Sequence, residues 1–171
     1  NPTQGEVNIN GTNVNTLRSG RLIDFRLHHI GFVFQAYNLI PVLTALENVA
    51  FIMQLQGVPR KQRHGRAMEL LEAVGIADKA GQRPGSLSGG QQQRVAVARA
   101  LASKPRFILA DEPTANLDSR STSELLDIMQ KMNADSKITF LFSTHDQRVV
   151  DKARRIITIE DGKVASDEQV A

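Results

Sequence analysis

The 171-residue chain has no cysteine and no tryptophan, one tyrosine and seven phenylalanines. Without cysteine there is no disulfide scaffold, no thiolate metal site and no Cys nucleophile, which fits a reducing compartment. Aromatics at 5% are too few to suggest base-stacking platforms for nucleic acid. Charge of one sign is also scarce: 21 Lys and Arg against 18 Asp and Glu leave a net +3, weak support for a nucleic-acid or anionic-membrane binder. No apolar run approaches the roughly 18 residues of a membrane span, and no signal-peptide pattern opens the sequence. What is present is ordinary globular material, 41% hydrophobic and 23% charged. That is enough to build a core without covalent or metal staples. These counts predict a soluble intracellular domain.

The sequence opens on a turn-forming cluster, Asn1-Pro2-Thr3-Gln4-Gly5, followed by the alternating segment Glu6 to Gly11 that approaches a hairpin. Ile30-Gly31-Phe32-Val33-Phe34 is an apolar run of the kind covered on both faces of a sheet. From about 44 to 103 the texture is helical. Ala67, Leu70, Leu71 and Val74 share a face before Gly75, and Val95, Ala98, Leu101 and Ala102 share one before Pro105. Apolar runs then recur at 107–110, 138–142 and 155–159, with a helical stripe at Leu125, Ile128, Met129 and Met132. Strand, helix, strand within about 35 residues is a βαβ crossover, so these strands are expected to be parallel.

Two segments carry most of the chemistry. Leu87-Ser88-Gly89-Gly90-Gln91-Gln92-Gln93-Arg94 leads into a helix. Ser88 is a good N-cap, paired glycines admit close approach to the backbone, and a helix N-terminus attracts phosphate. Alone, the segment reads equally well as a flexible loop before a capped helix. Phe107-Ile108-Leu109-Ala110-Asp111-Glu112-Pro113 is a buried strand ending in two carboxylates, at the sheet edge where α/β ligands bind. One carboxylate there can hold Mg2+ and its neighbour can polarise water, or both can simply cap a turn. Three weaker signals are Gln35 after the first strand, Asp118 before a helix, and His145 beside Asp146 after the strand 138–142. His28, His29 and His64 lie in polar stretches and read as solvated.

In this order the segments resemble the nucleotide-binding domain of ATP-binding cassette (ABC) transporters. Gln35 is similar to the Q-loop, Leu87 to Gln91 to the signature motif and Phe107 to Glu112 to Walker B. Ala115 to Asp118 resembles the D-loop and His145 the H-loop, so the likeness spans about Gly5 to Gly162. It implies a RecA-like α/β P-loop NTPase core over 1–40 and 105–171, incomplete at its N-terminal side. A helical subdomain carrying the signature would occupy 41–104. It implies ATP and Mg2+, with Asp111 and Gln35 at the metal, Glu112 as general base and His145 at the γ-phosphate. Gln35 would also sense the membrane partner. Leu87, Ser88, Gly89, Gly90 and Gln91 would cap nucleotide held by a second copy, and Asp118 would lie at the dimer seam.

The implied partners are a second ATP-binding domain in a homodimer or pseudo-dimer and an integral membrane permease, with no nucleic acid. The implied place is the cytoplasmic face of the inner membrane. The stretches Gly31 to Pro41 and Phe140 to Asp146 resemble the lipoprotein-releasing and macrolide-exporting branch. The apolar Leu39, Ile40, Val42 and Leu43 would then line a groove for the permease, or be ordinary core. An ABC-type ATPase acting on nucleic acid or ribosomes, and a non-hydrolytic regulatory cassette, remain the alternatives. One family element is absent: no Gly-x-x-x-x-Gly-Lys-Ser/Thr occurs in the sequence. The resemblance puts that phosphate loop just upstream of Pro2 to Val7. A truncated chain is therefore expected, binding Mg-ATP very weakly and not hydrolysing it.

Overall fold

A computed structural model describes residues 3–9 and 11–170; Asn1 and Pro2 of the opening cluster, and Asn10 of the expected hairpin approach, lie outside them. The chain begins with a short antiparallel pair, β1 (Asn8–Ile9) and β2 (Thr12–Asn13). It continues through helix α1 (Ser19–His29) into β3 (Ile30–Val33). Three helices follow: α2 (Ala45–Leu55), α3 (Arg60–Ala73) and α4 (Gly89–Ala102). Then come β4 (Phe107–Asp111), α5 (Ser119–Ser136), β5 (Thr139–Ser143) and the single turn α6 (Gln147–Val150). A hairpin of β6 (Arg155–Glu160) and β7 (Lys163–Gln169) ends the chain.

The sheet that matters for function has the order β3-β4-β5, all parallel. Its central strand β4 alternates between buried Ile108 and Ala110 and half-covered neighbours, and it ends on exposed Asp111. Val33 pairs with Ala110 and Asp111 with Ser143, so the carboxyl ends of the three strands lie level. α4 lies against β3 closely enough to require Gly31. A Cβ there would sit 2.7 Å from both the Ala100 carbonyl oxygen and Ile108 Cγ1, well inside contact distance. One apolar cluster runs from Val49, Leu71 and Val95 in the helices through to Ile108 in β4 and Leu125 in α5. Each such fully buried aliphatic side chain contributes about 1.5–3 kcal/mol.

Helix ends follow their residues. Thr44 and Glu47 form a reciprocal capping box at the start of α2, and Ser88 and Gln91 form another at α4. α3 stops at Gly75 in the left-handed region (φ +73°), as its placement after the stripe predicts. Asn48, fully buried in α2, holds the loop before its own helix. Its Oδ1 accepts from the Ile40 N–H (2.8 Å), and its Nδ2 donates to the carbonyls of Ile40, Leu43 and Thr44 at 3.0–3.2 Å.

One topological expectation is corrected. The strand at 155–159 does not join the parallel sheet; β6 pairs antiparallel with β7. The connection 144–154 contains only one helical turn, too short for a crossover of a dozen or more residues. Asp161 and Gly162, both with positive φ, then reverse the chain in a tight hairpin. Three elements had no forecast, α1, α6 and β7. Within α1, His28 Nδ1 donates to the Asp24 carbonyl (2.8 Å) and the His29 ring packs at a tilt against Phe25, centroids 4.6 Å apart.

Candidate functional site

The level carboxyl ends of β3, β4 and β5 bring their following residues to one rim of the sheet. These are Gln35 after β3, Asp111 and Glu112 at the end of β4, and Thr144, His145 and Asp146 after β5. Glu112 is the most constrained. Its backbone is in the left-handed region (φ +44°), an unfavourable conformation for a residue with a Cβ, and more so before proline. Its N–H donates to the Ser143 carbonyl (2.9 Å), which anchors the turn to the end of β5.

The Glu112 carboxylate is held on both oxygens. Oε2 accepts from the Thr144 hydroxyl (3.0 Å) and Oε1 lies 2.7 Å from His145 Nδ1. Thr144 Oγ1 itself accepts the Asp146 N–H (3.1 Å), which leaves its proton for Glu112. A carboxylate only accepts, so the imidazole proton sits on Nδ1. The His145 side chain is 90% exposed, against 22% for Glu112. Asp146 anchors the loop: Arg148 grips it with Nε and Nη2, and the hydroxyl of buried Thr114 donates to it (2.8 Å). The Arg148 hydrogen bonds, helped by Thr114 against the opposing effect of burial, hold its carboxyl down at about 2.

Asp111 is exposed at the strand tip, and its carboxylate has no hydrogen bond among the described residues. The side-chain amide of exposed Gln35 is likewise free, while its carbonyl accepts from Asn116 Nδ2 (3.0 Å). One carboxylate and one amide oxygen are a hard, sparse donor set. That suits Mg2+, which keeps waters and substrate phosphates in its shell rather than filling an all-protein cage. No cluster of three or more His, Cys, Asp or Glu that could hold a metal occurs among the described residues.

The segment 87–91 forms the cap and first turn of α4, with Ser88 in the N-cap position its sequence suggests. Leu87 is buried, and the side chains of Ser88 and Gln91 are engaged in the capping box (2.9 and 3.3 Å). The two glycines are pressed by the protein's own groups. A Cβ on Gly89 would lie 2.8 Å from the Tyr37 hydroxyl, and one on Gly90 would lie 3.1 Å from Ser121 Oγ. Thus the turn after β3, the start of α4 and the start of α5 are packed together within one chain. Asp118 caps α5: its carboxylate accepts from the Ser121 N–H (2.9 Å) and hydroxyl (2.7 Å), which hold it below the usual carboxylate range.

Sequence reasoning missed several residues that build this rim. Arg99 on α4 donates to the carbonyls of Tyr37 (2.8 Å) and Asn38, two successive residues at φ +50°. A lone arginine amid Val95, Ala96, Val97, Ala98 and Ala100 was the available signal. Tyr37, Thr144 and Gln93 had none, because each acts across elements that only the fold brings together. Gln93 is fully buried and donates to the Pro113 carbonyl (2.7 Å).

A parallel sheet with an acid-tipped central strand, bordered by a capped glycine-led helix, defines an α/β domain of the kind that binds ligands at the carboxyl edge of its strands. Comparison with known proteins gives the family. The ABC transporter family model matches residues 1–115. An ABC transporter ATP-binding protein of Thermotoga maritima is 51% identical over 98% of this chain and 71% of its own length. The macrolide export ATP-binding/permease protein MacB of Rhodopseudomonas palustris is 46% identical over 97% of the chain, but the match spans only 25% of that larger protein. The dimeric post-hydrolysis structure of the ATP-binding cassette MJ0796, bound to ADP and Pi, superposes with a TM-score of 0.88. It is 42% identical over 98% of this chain and 74% of its own. The chain belongs to the ABC transporter family, as an ATP-binding cassette with the RecA-like α/β fold of its ATPases.

Proposed function

We propose that this cassette hydrolyses ATP with Glu112 as the general base. The water attacks the γ-phosphorus and gives its proton to the Glu112 carboxylate; the bond from that phosphorus to the bridging oxygen breaks, leaving ADP. The observation that carries this reading is the carboxylate of Glu112, held by Thr144 and His145 at the tip of the central strand beside exposed Asp111. Held on Glu112 through Nδ1, His145 would turn Nε2 toward the γ-phosphate, to which it donates only when both ring nitrogens carry protons. Asp111 and Gln35 would hold Mg2+, which when bound neutralises charge developing on the phosphates.

The remaining roles belong to the same proposal. The free N–H groups of Gly89 and Gly90 at the head of α4, framed by Leu87, Ser88 and Gln91, serve nucleotide held by a second copy, with Asp118 at the seam. The dimeric MJ0796 cassette supports a paired arrangement. The MacB relatives support a macrolide-export-like branch with an integral membrane permease. No helix among the described residues is long and apolar enough to cross a membrane, consistent with a cassette attached peripherally at the cytoplasmic face. Val42 is 72% exposed, next to half-buried Leu43, on the loop that would meet the permease. Residues 41–104 would move as the subdomain bearing the signature, against a core of 1–40 and 105–171. Hydrolysis also needs a phosphate loop, which the 171 residues do not contain.

The test is steady-state ATPase activity of the full-length protein and its Glu112→Gln variant. General-base catalysis contributes about 10²–10⁴-fold, so kcat should fall at least about a hundredfold with nucleotide binding retained. Equal turnover in the two proteins would remove Glu112 from this role, and no turnover in either would favour a non-hydrolytic cassette.

A further inference from the structure

Gln93 is a costly residue to bury. It is 0% exposed on α4, and its Oε1 has no hydrogen-bond partner among the described residues. An unsatisfied buried amide oxygen is a liability that an apolar residue of the same length would remove. Its Nε2 makes one bond, 2.7 Å to the carbonyl of Pro113. Because a carbonyl only accepts, this fixes the amide orientation and leaves Oε1 as the orphan.

Pro113 directly follows Glu112, whose φ of +44° is the most unfavourable backbone feature on the rim. Strained residues persist where their surroundings over-determine them. On one side, the Glu112 N–H is tied to Ser143 on β5. On the other, the carbonyl of the next residue, Pro113, is tied to α4 by Gln93. The two bonds pin both ends of a conformation that the residue would not keep alone. We infer that Gln93 is a positioning residue for the hydrolytic step: from the helix headed by Gly89 and Gly90, it fixes the turn that aims the Glu112 carboxylate. The inference rests on the proposed role of Glu112. It also gives α4 a second task, linking its glycine-led N-terminus to the base of its own chain.

The test uses the full-length protein with Gln93→Leu and, as a second apolar replacement of different shape, Gln93→Met, alongside Glu112→Gln. Both Gln93 variants remove the orphaned oxygen but deprive the Pro113 carbonyl of its donor, so one unsatisfied acceptor replaces another and thermal stability is expected to change little. Misplacing a reacting group by about 1 Å costs about a hundredfold, so kcat should fall by about ten- to a hundredfold while KM for ATP stays within about twofold. Wild-type kcat in either well-folded variant, with Glu112→Gln inactive, overturns the inference and leaves the role of Glu112 standing. A parallel loss of Tm, kcat and ATP affinity in both variants overturns it too, because that pattern is a packing defect. Glu112→Gln turning over at the wild-type rate removes the base, and this inference with it.

Discussion

Asn48→Asp changes one atom and should be among the most damaging substitutions in the helical segment, with a cost set by pH. Asn48 is fully buried, and its Nδ2 faces three carbonyl oxygens at 3.0–3.2 Å. Aspartate keeps the shape and the acceptor for the Ile40 N–H (2.8 Å), but it places an oxygen among those carbonyls. An ionised carboxylate there has no donor to replace Nδ2, so the folded protein must take up a proton, whose O–H serves one carbonyl. Holding a group of ordinary pKa about 3.9 protonated at pH 7 costs about 4 kcal/mol, and at pH 5 about 1.5 kcal/mol. The sign follows from linkage. The folded-state pKa is raised above the unfolded one, so the penalty is absent below about pH 4 and grows by about 1.4 kcal/mol per pH unit above it. A pH-independent loss of about 1–3 kcal/mol for the remaining unpaired carbonyls adds to this. Against a typical 5–15 kcal/mol of total stability, the variant is close to unfolding at neutral pH. Urea denaturation of wild type, Asn48→Asp and Asn48→Ala at pH 5 and pH 7 measures it. The Asp deficit should widen by about 2.7 kcal/mol between the two, while the Ala deficit stays level. An Asp deficit equal at both pH values would show that the amide is not facing those carbonyls.

Two further outcomes follow from the rim. Arg99→Ala removes two charge-assisted bonds to Tyr37 and Asn38, residues held at φ +50° on the turn after Gln35. A loss of about 2–4 kcal/mol should appear as a Tm lowered by about 5–10 °C, with Arg99→Lys intermediate; an unchanged Tm would show that the turn holds itself. Asp146→Asn removes a carboxylate held at about 2, against an ordinary 3.8. With Arg148 half exposed, the full linkage value of about 2.4 kcal/mol is screened to about 1 kcal/mol. A depressed carboxyl stabilises above its unfolded pKa, so the deficit of the variant should be complete at pH 7 and shrink as pH falls from about 4 to 2. Denaturation at pH 7 and pH 2.5 checks this, and a constant deficit would sink it.

What the sequence disclosed depended on whether a residue acts within its own element or across several. β3 and β4 were legible because a strand packed within the core must be apolar throughout, whereas β5, an edge strand with exposed Leu141, was legible from its apolar run alone. The capping role of Ser88 was legible because a helix N-terminus is satisfied by the residue that starts it. α1 was not, since Ser19–His29 buries no side chain and its apolar Leu22, Ile23, Phe25 and Leu27 are interspersed with charged residues. β7 is nearly all polar, and the cue was the Asp161-Gly162 pair after an apolar run, a standard hairpin signal whose meaning depends on what precedes it.

Gly89 and Gly90 show the limit most sharply. Their sequence reading, backbone bared for a ligand, is a statement about what approaches them. The approach depends on Tyr37, 52 positions upstream of Gly89, and on Ser121, 31 downstream of Gly90. An alanine at either position would push against these neighbours before any nucleotide arrived, most severely at Gly89, where 2.8 Å separates the added atom from the Tyr37 hydroxyl. Loss of activity in such a variant therefore reports two things at once: a blocked ligand, and a displaced turn carrying Gln35. Tyr37→Phe separates them, because it removes the crowding oxygen and leaves both glycines in place.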